Sequence, residues 1–456
     1  MPPLIAPRIP SGTLELLPRE QRQFQRMLDV IRKGFERFGF GPIETPVFEM
    51  KDVLLTKSGG ETEKQVYFVQ STGALQQGHA PELALRFDLT VPLARYVAMH
   101  ERDLAFPFRR YQIQRVYRGE RPQLGREREF TQCDIDVIGK DALDPLHDAE
   151  IPAIIVGIFT DLSLPPFTIH FSNRKVLRGF LEAHGAVGPE AQEPILRAID
   201  KLDKTGMEGL RESLAALGRT ELAEPLGRLV TLEGTSDEVT RALQSLALNQ
   251  PLYTEGVQEV AAMGIALKAL GVPEGRVRLD LRIARGLDYY TGTVYETFLD
   301  NHPGFGSICS GGRYEDLAGY YTRSRLPGVG ISIGATRLFE QLRSIGALPP
   351  DSVTEGTHVL IAQVEPALRP ACLALGAELR RAGLNVETHL EGTKLDKQLR
   401  RADKLGIPFV VILGSAEATR GVVAVKDLAQ KTQADIPATD LAAYLRAKVG
   451  FLCPAP

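Results

Sequence analysis

FRRYQIQRVYRGERPQLGREREFTQCDIDVI, residues 108–138, holds the pattern from which the rest of the chain is read. Residues 108–118 and 129–138 both alternate in strand fashion, and successive side chains of a strand face opposite ways. In the second run, strict alternation places Phe130, Gln132, Asp134 and Asp136 on one side. Only a bulge would move Phe130 away from the polar three. Between the runs lies GERPQLGRER, a loop of about ten residues where hairpin loops usually have about 2–5, and long loops tend to be functional. Residues 117–136 contain four arginines and five acids, on a chain of formal net charge −3. Two readings compete for that crowding. One is a solvated hairpin of surface ion pairs, each worth ~0–1 kcal/mol. The other is a site for something that carries both charge signs, in which arginine forks grip a polyphosphate while the acids orient them or hold magnesium.

Toward the N-terminus, Phe24, Met27, Leu28, Ile31, Phe35 and Phe38 mark one face of an amphipathic helix over 19–38. Gly39 and Gly41 end it, and Pro42 forbids its return. PIETPVFE, 42–49, reads as a short strand, and Pro46 suits an edge or an interface because it lacks a backbone donor. In RFDLTVPLARY, 86–96, Asp88 and Thr90 either alternate on a strand face with Arg86, ready for an ammonium group, or cap a helix start.

Toward the C-terminus, residues 176–270 change texture to Leu- and Ala-rich helical patterns and read as a separate helical insertion. Strand patterns resume at 277–283 and 293–299. ARGLDYYTGTVYE, 284–296, is either an arginine at a turn beside an aromatic pocket or a turn followed by ordinary core aromatics. The paired glycines of SGGRYEDL, 310–317, either admit a ligand close to the backbone or mark a bulge or turn. GVGISIGATRL is a Gly-rich strand leading into a helix. SIGALPPDSVTEGT, 344–357, is a linker, and beyond it strands and helices alternate in an α/β pattern. The expected divisions are 1–175 and 271–345 for a core in two parts, 176–270 for the insertion, 346–356 for the linker and 357–456 for the last domain. In the last domain Lys394, Lys397, Arg400, Arg401 and Lys404 share a helical face, either a solvated stripe or a contact for RNA phosphates.

Bulk properties limit the alternatives. Hydrophobic residues make up 43% and charged residues 24% of 456, as in ordinary globular proteins. No apolar run approaches the ~18–20 residues that span a bilayer. The N-terminus has no basic segment followed by an apolar one, so no secretory signal is expected. Cys133, Cys309, Cys372 and Cys453 have no paired spacing, which suits a reducing cytoplasm rather than a disulfide framework or a zinc site.

In order and wording these segments resemble the histidyl-tRNA synthetase family, class II aminoacyl-tRNA synthetases, over nearly the whole chain. PIETPVFE resembles motif 1, the dimer-forming element, and YRGERPQLGREREF resembles motif 2. ARGLDYYTG and SGGRYEDL resemble the two signatures peculiar to the histidine enzymes, and GVGISIGATRL resembles motif 3. The C-terminal segment resembles the family's anticodon-binding domain. The resemblance implies an α+β fold: an antiparallel sheet core flanked by helices, with a helical insertion and a C-terminal α/β domain. It implies a cytoplasmic homodimer that uses ATP with Mg²⁺, L-histidine and tRNA-His, and a ligase that makes histidyl-adenylate and passes the histidyl group to the tRNA. A regulatory paralogue, which does not aminoacylate, generally lacks the last domain and an intact ARGLDYYTG; both are present here.

Carried over residue by residue, the family pattern implies a histidine pocket of Asp88, Thr90, Gln132, Asp136, Tyr289, Tyr290 and Tyr314. Arg118 would hold the substrate carboxylate and the α-phosphate, with Arg285 as the catalytic cation beside it. Glu120, Arg126 and Phe130 would engage ATP, with Phe130 on the adenine and Arg337 on the other side of the nucleotide. No dedicated protein ligands for the metal are implied. RFDLT stands where many bacterial members have RPEGT and resembles the eukaryotic-type subgroup. Thr336 stands where motif 3 often has Glu before its Arg.

Overall fold

The two alternating runs lie side by side in the middle of an eight-stranded sheet. The computed structural model describes residues 4–55, 65–122, 125–284, 290–348 and 356–451. The chain divides into two units, residues 1–349 and 350–456. In the first unit the strands are β1 (Gly41–Pro42), β2 (Phe48–Met50), β3 (Phe68–Val69), β4 (Leu83–Leu85), β5 (Phe108–Tyr117) and β6 (Glu129–Ile138). Then come β7 (Phe167–Asn173), β8 (Val277–Leu279), β9 (Thr293–Leu299), β10 (Cys309–Tyr314) and β11 (Gly328–Gly334). The large sheet has the order β1-β5-β6-β11-β10-β9-β7-β8. Every inner pairing is antiparallel; only the edge strands β1 and β8 run parallel to their neighbours.

The β5–β6 ladder runs without a slip from Phe108 opposite Ile138 to Tyr117 opposite Glu129. No bulge intervenes, so Phe130 shares a face with Gln132, Asp134 and Asp136. The other face sends Cys133, Ile135 and Val137 into the main core, against helices Pro18–Arg37 and His147–Asp161. That core includes Ile31, Phe35, Ile154, Ile158 and Phe159. Each such fully buried side chain stabilises by about 1.5–3 kcal/mol. The sheet is therefore apolar on one side and charged on the other, and the charged side is available to build a site.

Residues 174–269 are helical, beginning with Arg174–Ala183 and ending with Pro251–Ala269. They do not separate as a compact unit of their own. Phe180, Leu243 and Tyr253 belong to the same core as Phe171 and Tyr295 of the sheet, and the Tyr253 hydroxyl donates to the Leu243 carbonyl at 2.8 Å.

Two local expectations need correction. PIETPVFE is not one strand: Pro42 closes β1, and Phe48 opens β2 in a separate three-stranded sheet, β2-β4-β3. The stretch between is held by Arg86, only 1% exposed. Its Nη1 donates to the Thr45 carbonyl and its Nε to the Arg115 carbonyl, each at 2.8 Å. The strand expected over 277–283 stops at Leu279, because the Asp280 carboxylate accepts the Arg282 backbone N–H at 3.0 Å and turns the chain. Of the two readings of 86–96 the helix start is the one observed, the helix being Thr90–His100.

The second unit holds β12 (Val359–Gln363), β13 (Val386–Thr388), β14 (Phe409–Leu413), β15 (Val422–Asp427) and β16 (Thr432–Pro437), in the order β13-β12-β14-β15-β16. The sheet is mixed, with β12 parallel to both its neighbours and the remaining pairs antiparallel.

Candidate functional site

The hairpin loop is fixed at its neck. Arg118 donates its backbone N–H to the Arg128 carbonyl at 2.9 Å, and Gly119 donates to Gln65 at 2.7 Å. The Arg118 side chain is held from two sides: Nε donates to the Phe87 carbonyl at 3.0 Å, and the guanidinium lies 5.1 Å over the Phe130 ring. A cavity of about 500 Å³ opens beside it, on the charged face of the sheet. Arg118, Glu120, Arg126, Phe130, Gln132, Tyr290 and Arg337 all line it, so residues far apart in the chain meet here. Glu127, Glu296 and Ser332 line it too and were not singled out from the sequence.

Arg337 stands in the first turn of the helix Ala335–Ser344 and donates to the Phe305 carbonyl. Burial, and then the neighbouring Arg126, lower its pKa. Thr336, placed where an acid is common, has a structural role: its hydroxyl accepts the buried Thr131 backbone N–H at 2.9 Å. That donor lies just beyond the end of the β6–β11 ladder, which begins at Gln132 opposite Gly334.

Next to this cavity is a pit of about 20 Å³ lined by Thr90, Asp134, Asp136, Tyr290 and Tyr314, among others. Asp136 is 4% exposed. Its Oδ2 lies 2.5 Å from Arg110 Nη2, and its Oδ1 accepts from the Tyr314 hydroxyl at 3.0 Å. Burial pushes the Asp136 pKa up to about 7 against the pull of Arg110, with Asp134 and Asp88 pushing the same way as burial. Gln132 donates to Ser332 at 2.8 Å.

Two glycines make room here, and neither marks a turn or a bulge. A Cβ on Gly330 would stand 2.1 Å from Asp136 Oδ1, and one on Gly312 would stand 2.9 Å from the Tyr290 ring. Gly312 pairs in regular register with Gly330 across β10 and β11.

Asp88 is buried but is not part of the pit lining. Its Oδ1 accepts the Val91 backbone N–H at 3.1 Å, so it caps the helix that carries Thr90. Burial pushes its pKa up to about 6, opposed by that hydrogen bond and by Arg118. Arg285 and Tyr289 lie outside the described residues. In the second unit, Lys394, Lys397, Arg400, Arg401 and Lys404 are exposed on or beside the helix Leu395–Lys404, and Arg401 is engaged by Glu387.

Arg110 is the residue that sequence reasoning missed, and Asp134, placed on the polar side of its strand, was given no role in the site. The signal was there: Arg110, Gln112 and Gln114 alternate along β5, and the register sets them opposite Asp136, Asp134 and Gln132.

A protein-family model described as histidyl-tRNA synthetase matches residues 12–338, and one described as an anticodon binding domain matches residues 358–448. A histidine–tRNA ligase of Xanthomonas oryzae is 54% identical over 97% of this chain and 98% of its own length. One of Stenotrophomonas maltophilia is 53% identical over 98% and 99%. The crystal structure of histidyl-tRNA synthetase from Nostoc sp. superposes with a TM-score of 0.88 at 40% identity, covering 98% of this chain and 100% of that one. Motif order, sheet topology and likeness along the whole length agree: the chain belongs to the histidyl-tRNA synthetase family.

Proposed function

We propose that this chain activates L-histidine with ATP, giving histidyl-adenylate and pyrophosphate, and then transfers the histidyl group to the 3′ end of tRNA-His. The observation that carries this reading is the meeting of Arg118, Phe130, Gln132 and Arg337 in one cavity, beside a pit that contains Asp136 and Tyr314.

In the first step a histidine carboxylate oxygen attacks the α-phosphorus, a carboxyl–phosphate bond forms, and pyrophosphate leaves. Two anions approach, so fixed positive charge between them lowers the barrier. Arg118, held by Phe87 and Phe130, supplies one such charge; Arg285 is the second in this reading. No protein base is needed, because a carboxylate is already ionised at neutral pH. Adenine stacks on Phe130, with Arg337 on the other side of the nucleotide and Glu120 and Arg126 at its polar edges. Magnesium enters with ATP as substrate, and Glu120, Glu127 and Glu296 are the carboxylates lining this cavity. In the second step a terminal ribose hydroxyl attacks the acyl carbon and AMP leaves, its phosphate oxygen taking the proton.

The pit reads the side chain. Imidazole offers one donor and one acceptor at fixed positions. Asp136 accepts the N–H, while Thr90, Tyr290 and Tyr314 line the remaining space and Gln132 lines the adjoining cavity; the reading adds Tyr289 and Asp88 to the set. Buried polar groups left unpaired by an apolar analogue give ~10⁴–10⁵-fold rejection without editing.

The helical segment 176–270 contacts the tRNA in this reading, and the basic stripe from Lys394 to Lys404, within the anticodon-binding domain, contacts its phosphates. A homodimer is supported by Phe48, Met50 and Leu83, exposed apolar side chains on one face of the small sheet that carries motif 1. The reading also places the protein in the cytoplasm; no described helix is long and apolar enough to cross a membrane. Charging of a tRNA-His transcript with labelled histidine tests the whole reading. Arg118→Ala is expected to lower it ~10²–10³-fold, and absence of charging by the wild-type protein contradicts it.

A further inference from the structure

We infer that Arg110 is a positioning residue for histidine activation: it holds the Asp136 carboxylate charged and aimed into the pit, where it selects a neutral imidazole by its N–H. The inference rests on the reading of Asp136 as the imidazole's partner.

Arg110 is 0% exposed. It stands directly opposite Asp136 in the β5–β6 register, with Nη2 2.5 Å from Oδ2. None of its three guanidinium nitrogens makes an aligned hydrogen bond among the described residues, so its hold on Asp136 is the charge contact of a close ion pair. The guanidinium therefore depends on Asp136 and the carboxylates beside it for its charge balance. Asp136 in turn is held at both oxygens, by Arg110 at Oδ2 and by Tyr314 at Oδ1. Each carboxylate oxygen can accept more than one hydrogen bond, so capacity remains for a ligand. The bare backbone of Gly330 is what lets Oδ1 lie where it does.

The groups facing Asp136 set the sign of the effect. Asp134 from its own strand and Asp88 from the segment before Thr90 are both negative when ionised and both buried. Tyr314 of β10 and Tyr290 are neutral phenols at neutral pH. Arg118 is half-buried at the mouth. With Arg110 removed, three buried carboxyl groups face one another with no fully buried cation among them, and Asp136 stands at about 7 even with Arg110 in place. The carboxyl then takes up a proton at neutral pH and no longer offers a full anion to the imidazole N–H.

A purely structural role for the pair predicts something different. The β5–β6 ladder is made by backbone groups, to which the Arg110 and Asp136 side chains contribute no hydrogen bond; removing one partner of a buried ion pair still costs stability, so folding is checked beside activity. A structural defect would lower activity at every pH alike.

The test is histidine-dependent ATP–pyrophosphate exchange from pH 6 to 9, with KM measured for histidine and for ATP. Arg110→Gln is expected to raise KM for histidine at least about threefold at pH 7.5 and leave KM for ATP within twofold. It is also expected to move the acid limb of 1/KM for histidine upward by one pH unit or more, and Arg110→Lys to restore part of both. An unmoved limb, or a loss confined to kcat, overturns the inference. Asp134→Asn, which removes a like charge without enlarging the side chain, keeps the test open if Arg110→Gln does not fold: the limb moves to lower pH, and no movement overturns the electrostatic link. Asp136→Asn separates the two claims. If it leaves KM for histidine unchanged, the reading of Asp136 falls and this inference with it. If it raises KM while the Arg110→Gln profile stays in place, only the inference falls.

Discussion

Gly330→Ala places one methyl group at the point where the histidine pit is most tightly built. The new Cβ would stand 2.1 Å from Asp136 Oδ1 and 2.5 Å from both the Asp136 carboxyl carbon and the Ile135 carbonyl oxygen. Comfortable contacts of that kind need about 3.5 Å, so the carboxylate has to withdraw by roughly 1 Å or more. Its two present contacts, at 2.5 Å to Arg110 and 3.0 Å to Tyr314, leave no slack in that direction. Because the Ile135 oxygen belongs to the backbone, part of the strain passes into the β6–β11 pairing. Overpacking of this kind costs about 1–3 kcal/mol of stability. A misplacement of about 1 Å in a recognition group costs up to ~10²-fold in rate or affinity. The expected outcome is a folded protein whose KM for histidine in pyrophosphate exchange rises 10- to 100-fold. KM for ATP should change little, because Phe130 and Arg337 lie in the larger cavity. A folded Gly330→Ala protein with KM for histidine within twofold of wild type refutes the placement of the imidazole against Asp136.

Three further outcomes follow from the same geometry. Thr336→Val removes the acceptor of the buried Thr131 N–H; it should cost about 1–3 kcal/mol, read as a lower urea midpoint and faster hydrogen exchange at Thr131. Asp148→Asn breaks the buried pair with Arg313, 2.7 Å apart and 3% exposed on each side. The expected loss of about 3–5 kcal/mol is measured by chemical denaturation, and the double change Asp148→Leu with Arg313→Met should lose less. Because the folded pKa of Asp136 is raised to about 7, its ionised fraction grows roughly tenfold between pH 6 and pH 8. Histidine KM should fall by at least that factor over the range, and the Asp136 contribution to stability of the ligand-free protein should fall as pH rises through about 7; a KM lowest at pH 6 would contradict the neutral-imidazole reading.

Strand pattern and loop length marked the hairpin as one of two things, a solvated surface loop or a site, and the family resemblance chose between them. The β5–β6 hairpin appears where alternation placed it, and Phe130 shares the polar face because no bulge interrupts the ladder. Legibility failed where tertiary contacts override local pattern. PIETPVFE looked like one strand because nothing local reveals that Arg86, some forty residues on, binds the Thr45 and Pro46 carbonyls and splits it. Asp280 turned a strand-like run into a corner through its own side chain. β16 escaped because it is a mostly exposed edge strand with no apolar alternation. The roles of Gly312 and Gly330 were hidden for another reason: a glycine records only that space is needed, and the occupants, Tyr290 and Asp136, are distant in sequence. Arg110 was legible in principle, once the register of the hairpin is counted back from its loop.

The most direct measurement is ATP–pyrophosphate exchange with each of the twenty standard amino acids supplied in turn. The account predicts exchange with histidine and at least ~10⁴-fold weaker exchange with apolar amino acids of similar size. Exchange with another amino acid at a comparable rate, or no exchange with histidine, would contradict it.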